Sequence, residues 1–335
     1  MELNDIFSPI ASKLEAVEAE LQKIAHNSQV PIASRLAEYL QAGGGKRLRP
    51  ALVLLSAKYC GCSSNEDIRY AAVFEMVHTA TLIHDDVIDH SSTRRGRPSM
   101  NAKWGNTLSV LFGDFLSIHS MRHALASRNW QMAELFADVA ASMIEGELIQ
   151  NECLYNLDVG RKTHFDIIER KTAHLFSACT KAGAILAKRD EETSQALAKY
   201  GFELGKAFQL IDDLLDYIST ASHLGKPVFS DLSEGKLTLP AISLMEKAPG
   251  DAAPLIEKIW ATCQAMGQVA SPEDEIKHLL KLMEQHGVLD ETRELAKCAS
   301  RAAIDALPDI EGVEEAKAVA ALLKEIPEIL LVRTY

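Results

Sequence analysis

The chain has 335 residues, 47 of them acidic against 35 basic, for a formal net charge of −12. That balance excludes a protein that holds nucleic acid by its overall charge, because such binding requires Lys and Arg to neutralise phosphates. With only 18 glycines and 11 prolines and no linker-like or low-complexity run, a single domain over residues 1–335 is expected rather than two.

Along the chain, the first twenty residues carry acids where a signal peptide needs basic residues, and no window reaches the roughly 18 apolar residues of a spanning helix. A soluble, cytoplasmic protein is therefore expected. Ile10, Leu14, Val17, Leu21 and Ile24 recur at helical spacing and predict an amphipathic helix. "GGGKRLRP" follows at residues 43–50, then Cys60 and Cys62, which lack a second pair at metal-site spacing and read as idle thiols among six cysteines. Ser64, with Asp67 three residues on, is the expected N-cap of a long helix closing on "TLIHDDVIDH". After an irregular segment, helices are predicted at 107–126, 130–156, 164–188 and 192–219, and after a second one at 239–248, 251–266, 273–286, 290–306 and 312–325. Strand-like alternation is nearly absent, so the expected class is all-α.

"TLIHDDVIDH" places Asp85, Asp86 and Asp89 in an otherwise apolar stretch. Residues four apart share a helix face, so Asp85 and Asp89 point together, with Asp86 about 100° around. Like charges at that spacing repel by roughly a few tenths of a kcal/mol in water, and by more where apolar neighbours thin the solvent. A solvated helix end would explain one such motif. "FQLIDDLLDY" repeats it with Asp212, Asp213 and Asp216, one turn after Gln209. Paired all-carboxylate clusters suit a hard cation such as Mg²⁺, which completes its shell with water and phosphate oxygens. Fixed cations stand nearby: Lys46, Arg47 and Arg49 after three glycines, Arg94 and Arg95 beyond the first cluster, and Lys226 and Lys236 beyond the second. An acidic chain has thus concentrated positive charge around its candidate metal sites.

Six segments, "GGGKRLRP", "VHTATLIHDDVIDHSSTRRGRP", "GELIQ", "ERKTAHLF", "FQLIDDLLDY" and "GKPVFSDLSEGKLTLP", stand in the order seen in the trans-isoprenyl diphosphate synthases, which the chain resembles over nearly its whole length. The resemblance is to long-chain members that make octaprenyl, heptaprenyl or solanesyl diphosphate. It implies a bundle of roughly a dozen helices around a deep central cavity, paired as a homodimer. It also implies head-to-tail condensation of isopentenyl diphosphate with an allylic diphosphate, farnesyl diphosphate being the expected primer. Three Mg²⁺ ions per site are implied when the allylic substrate is bound, as is transient membrane contact on product release. Asp85, Asp89 and Asp212 are implied as direct ligands, with Asp86, Asp213 and Asp216 acting directly or through water. Arg94, Lys171, Lys226 and Lys236 would grip the allylic diphosphate. Lys46, Arg49, His78 and Arg95 would form the metal-free site for isopentenyl diphosphate, beside Arg47. Thr172 and Gln209 would turn oxygen dipoles toward the carbocation, while Glu147 and Gln150 are equally consistent with buried hydrogen bonding. One departure stands out: Phe229 occupies a position where the family often has Gly.

Product length is implied by the residues before the first cluster, where short-chain members carry Phe or Tyr. Here Ala80 and Thr81 stand there, and Val77, Met76 and Val73 continue down the helix, so a long product is expected, octaprenyl being the central value. Phe74 or Met76 would narrow the path lower down, and Met132 or Phe136 are candidates for its floor. The dimer face is implied at 107–126 and 130–150, with Leu108, Leu111, Phe112, Phe115 and Leu116 as apolar contacts. Alternatives are a farnesyl or geranylgeranyl diphosphate synthase, a terpene cyclase and a non-catalytic subunit. A cyclase has no use for "GGGKRLRP", and such subunits lose part of one aspartate cluster, whereas both are intact here.

Overall fold

The structure, a computed structural model, describes residues 3–26, 29–218, 229–266 and 272–332. Its longer helices are α1 (Ala11–His26), α2 (Pro31–Gln41), α3 (Leu48–Tyr59), α4 (Glu66–Ile88), α5 (Asn106–Ala126), α6 (Trp130–Glu152), α7 (Arg161–Ile168), α8 (His174–Leu186), α9 (Glu191–Ile218), α10 (Leu239–Lys247), α11 (Pro249–Met266), α12 (Glu273–Gln285), α13 (Val288–Ala306) and α14 (Ala316–Val332). Among the described residues the only sheet is a two-residue hairpin, in which Thr93 pairs with Pro98 and Arg94 with Arg97. The fold is all-α. Between α7 and α8 the chain makes one π-helical turn, Glu169–Ala173.

The bundle closes around α9, whose Leu197, Leu204, Ile211 and Leu214 fall at spacings of seven, seven and three and are buried. Each such side chain contributes about 1.5–3 kcal/mol by leaving water. Close approach to α8 and the π turn depends on glycine. A Cβ at Gly205 would stand 2.6 Å from Ala173 Cα, and one at Gly201 would stand 2.2 Å from Thr180 Oγ. Gly183 does the same for α8 against α3, where a Cβ would meet Ala57 N at 2.4 Å.

Several sequence expectations change here. Helices α2 and α3 were not predicted; α3 is buried nearly all round, so it carries no amphipathic period to read. Ser64 does not cap α4, which starts at Glu66 after Asn65 without a side-chain cap. Asp67 is fully buried instead, paired with Lys13 of α1. Phe112 and Leu116 pack inside the protomer with Leu36, Ile83 and Met100 rather than lying on an outer face.

Phe229 has φ 60° and ψ 25°, the left-handed conformation that Gly adopts freely and that costs other residues about 1–2 kcal/mol. Its ring is 3% exposed and meets Tyr217 edge-on at 5.3 Å, a burial that offsets the strain. Phe229→Ala should therefore destabilise the protein by about 3 kcal/mol in urea unfolding. Phe229→Gly should lose about 1 kcal/mol less, reversing the usual order of Ala over Gly. If the Ala variant is the more stable of the two, the left-handed strain is absent.

Candidate active site

Helices α4, α6 and α9 and the π turn wall an open cavity of about 3400 Å³, its mouth included. Asp85 and Asp89 of α4 line it, as their shared helix face requires. Across from them, Asp212 of α9 is exposed to the cavity, and Asp213 also borders it but is only 2% exposed. One further aspartate of each motif is committed elsewhere. Asp86 is buried on another face of α4 and receives Arg94 side-on, with Nε 2.8 Å from both carboxylate oxygens and Nη2 2.7 Å from Oδ1. Asp216, fully buried, accepts from Ser230 N and Asp231 N, both at 3.2 Å, and so caps the short turn Ser230–Ser233. The face it would share with Asp212 is covered by that returning segment.

Cations of the cavity are held by its acids. Lys236 Nζ lies 2.9 Å from Asp89 and 2.7 Å from Glu234, and Lys171 pairs with Glu147. Burial alone would make the Lys236 ammonium easier to deprotonate, but Glu234 and Asp89 push its pKa up, so it stays charged. The sequence left Glu147 open; its carboxylate is the partner of Lys171, and Gly146 beside it admits the π turn, since a Cβ there would be 2.8 Å from Lys171 Cγ. Lys226 lies outside the described residues.

A second basic group stands at the other end. Lys46 is exposed at the rim, and Arg49 stacks 5.0 Å above the Phe176 ring with its buried Nε meeting no acceptor. Arg95 donates to Gly44 O. Arg47 belongs to the scaffold, bound to Glu18 of α1 and to Glu75 at 2.8 Å, with its own backbone left-handed at φ 49°. Burial, then the charges of Arg49, Arg94 and Arg95, hold the His78 pKa well below its ordinary value, so the imidazole is neutral.

Thr172 and Gln209 meet: Thr172 Oγ donates to Gln209 Oε1 at 2.9 Å. Both line the cavity, together with His164, a residue no motif singled out. Among the chain-length positions, Thr81 lines the cavity. Ala80 faces the cluster between α2 and α5, and Val77 lies in the main core with Phe136 and Val139 of α6. Met76 lines a separate pocket with Leu40 and Leu116, and Phe74 and Phe136 stack with centroids 6.5 Å apart. Of the positions expected to line the path, Thr81 therefore reaches the cavity, whereas Ala80, Val77 and Val73 are buried in packed side chains.

Asp85, Asp89 and Asp212 offer only oxygen donors from two helices. Among the described residues no three acidic, His or Cys groups converge enough to enclose an ion unaided. The donor set fits a hard divalent cation that takes further oxygens from water or ligand. Burial, outweighing Lys171, lifts the Asp85 pKa to about 6 from its ordinary 3.8, with Glu147 and Asp89 adding to it. A carboxyl raised in the folded state stabilises the protein below its unfolded pKa, and that contribution is lost as pH rises through the folded value. Without divalent cations, Asp85 should lower the unfolding free energy between pH 4 and pH 6, measured by urea titration. Asp85→Asn should remove that share of the slope; an unchanged slope refutes the assignment.

The sequence matches the polyprenyl synthetase family over residues 30–283. It is 36% identical to the octaprenyl diphosphate synthase of Haemophilus influenzae over 296 residues, 88% of each chain. Among solved structures, the polyprenyl synthase of Caulobacter crescentus, complexed with calcium and isoprenyl diphosphate, superposes with a TM-score of 0.89 at 32% identity, covering 100% of this chain and 98% of that one. A decaprenyl diphosphate synthase from Rhodobacter capsulatus gives 0.88 at 34% identity, covering 100% of both. Paired carboxylates, flanking cations and these likenesses over the whole chain agree: the protein is a prenyltransferase and belongs to the polyprenyl synthetase family.

Proposed function

We propose that the enzyme is a Mg²⁺-dependent, all-trans, long-chain polyprenyl diphosphate synthase that extends farnesyl diphosphate with isopentenyl diphosphate to an octaprenyl product. The observation carrying this reading is the pair of carboxylate walls, Asp85 and Asp89 against Asp212, facing one cavity that Lys171, Lys236, Lys46, Arg49 and Arg95 also line. Mg²⁺ bound there would supply positive charge to a departing diphosphate. Lys171 and Lys236, now on Glu147 and Asp89, are within the same cavity and would transfer to diphosphate oxygens as the acids turn to metal. Arg94 keeps Asp86 while offering its remaining N–H groups. Arg49, Lys46, Arg95 and neutral His78 would hold the isopentenyl diphosphate, whose double bond attacks the allylic carbon once its C–O bond has broken.

The long product is supported by Thr81, a small residue lining the cavity, and by relatives named for octaprenyl and decaprenyl products. Incubation with farnesyl diphosphate, isopentenyl diphosphate and Mg²⁺ should yield C40 as the main product, and Thr81→Phe should shorten it while the first condensation continues. A wild-type product ending at fifteen or twenty carbons would favour a farnesyl or geranylgeranyl synthase instead.

A homodimer in the cytoplasm is part of the same reading. Helix α5 exposes Val110, Leu111, Ile118, Met121 and Leu125, and α6 exposes Trp130, Ile144 and Leu148, the last at 63%. The 111, 118, 125 and 144, 148 spacings make one apolar stripe per helix, an exposed surface of the kind that marks an interface. Sedimentation should give twice 36.8 kDa at micromolar concentration, and Ile118→Lys with Ile144→Lys should give the single mass; a wild-type monomer refutes the pairing.

A further inference from the structure

A chain of polar contacts crosses the cavity wall from the π turn through α9 to α7. Thr172 Oγ donates to Gln209 Oε1 at 2.9 Å, Gln209 Nε2 donates to Asp213 Oδ1 at 3.0 Å, and Asp213 Oδ2 lies 3.0 Å from His164 Nε2. Asp213 is 2% exposed and His164 4%, so water does not complete either group. The direction of the chain is dictated by chemistry. An ionised carboxylate only accepts hydrogen bonds, so Gln209 must turn its amide to Asp213 and its carbonyl to Thr172. A hydroxyl has one hydrogen, and Thr172 directs it at Gln209. Its oxygen lone pairs are then the part left for the cavity, which Thr172 lines. Reversed, the hydroxyl would present its positive hydrogen to a carbon that is becoming positive.

We propose that His164 is a positioning residue that fixes this polarity. By donating from Nε2 to Asp213 Oδ2 it holds the carboxylate in the rotamer that receives Gln209, and through Gln209 it aims the Thr172 oxygen at the ionising allylic carbon. This rests on the prenyl-transfer reading above. His164 Nε2 and Asp213 Oδ2 stand 3.0 Å apart with the N–H off the line between them. The ring itself is fixed: it is buried and lies against Phe165 at 6.0 Å, and its backbone N–H begins α7 by donating to Gly160 O at 3.1 Å. Hydrogen bonds in series polarise one another where the dielectric is low, so the far end of the chain influences the near end.

Steady-state kinetics of His164→Phe and His164→Gln, alone and with Thr172→Val, test the proposal. Removal of the donor in His164→Phe should lower kcat by about 10–100-fold, the usual effect of losing an outer supporting contact. Both KM values should change by less than about threefold, because the contact matters in the transition state rather than in binding. Calorimetric affinity for pyrophosphate with Mg²⁺ should stay within about twofold for the same reason. His164→Gln, which keeps a donor, should recover most of kcat. In the Thr172→Val background His164→Phe should cost less than about twofold, because residues that act as a unit are not additive. Independent, multiplying losses would overturn the proposal, as would unchanged kcat in His164→Phe or no recovery in His164→Gln. If His164→Phe fails to fold by circular dichroism, His164→Leu takes its place. A wild-type protein with no prenyl transfer at all would instead refute the functional reading.

Discussion

Mutual repulsion between the carboxylates of one cavity is the constraint on which the rest of this molecule depends. Asp85, Asp89, Glu147 and Asp212 share a single cavity, where burial first, with Glu147 and Asp89 adding to it against Lys171, raises the Asp85 pKa. The protein answers with its own cations. Lys236 bridges Asp89 and Glu234, and Lys171 takes Glu147. These are exchangeable partners. An ammonium is a compact point charge on a flexible stem, which can leave a carboxylate for a phosphate oxygen with little rearrangement of the backbone. Arg94, held side-on by the buried Asp86, is the fixed counterpart, and its planar fork suits that part.

Repulsion of this kind is useful only if the scaffold does not yield to it. Two of the walls are seated through glycine, α6 on the π turn at Gly146 and α9 on α8 and the π turn at Gly201 and Gly205, so they cannot swing apart without losing close-packed contacts. Arg47 adds a tie from the glycine loop to α1 and α4 through Glu18 and Glu75. Like charge is thereby stored in place until a cation or a ligand relieves it.

The two aspartate motifs were legible because helical spacing alone decides that Asp85 and Asp89 face together. Their identical spelling concealed a difference. Asp216 has the same spacing from Asp212, yet the segment returning at Ser230 claims its carboxylate, and no local pattern announces a partner 14 residues away. Helix α3 was illegible for the opposite reason, since burial on all sides erases periodicity. His164 carries no motif, and its significance comes from α9 bringing Asp213 beside it. Ala80 and Thr81, adjacent in sequence, point about 100° apart, and the packing of α2 and α5 over Ala80 leaves Thr81 as the one of the two that lines the cavity, which no local pattern decides. Phe229 looked anomalous as a sequence letter; its left-handed backbone explains why Gly is the easier occupant and its buried ring explains how Phe is tolerated.

The π turn at Glu169–Ala173 acts as a phase shift in the helix that carries it. In an uninterrupted α-helix the residue seven positions beyond His164, Lys171, would return to the same angular position, because two turns take about 7.2 residues. One additional residue in the turn advances the count, and Thr172 arrives there instead, while Lys171 is rotated by about 100° toward Glu147. The ammonium and the hydroxyl, neighbours in the chain, are thus assigned to different partners by arithmetic. It is the number of residues in that turn, as much as their chemical kind, that sends the ammonium to Glu147 and the hydroxyl to Gln209.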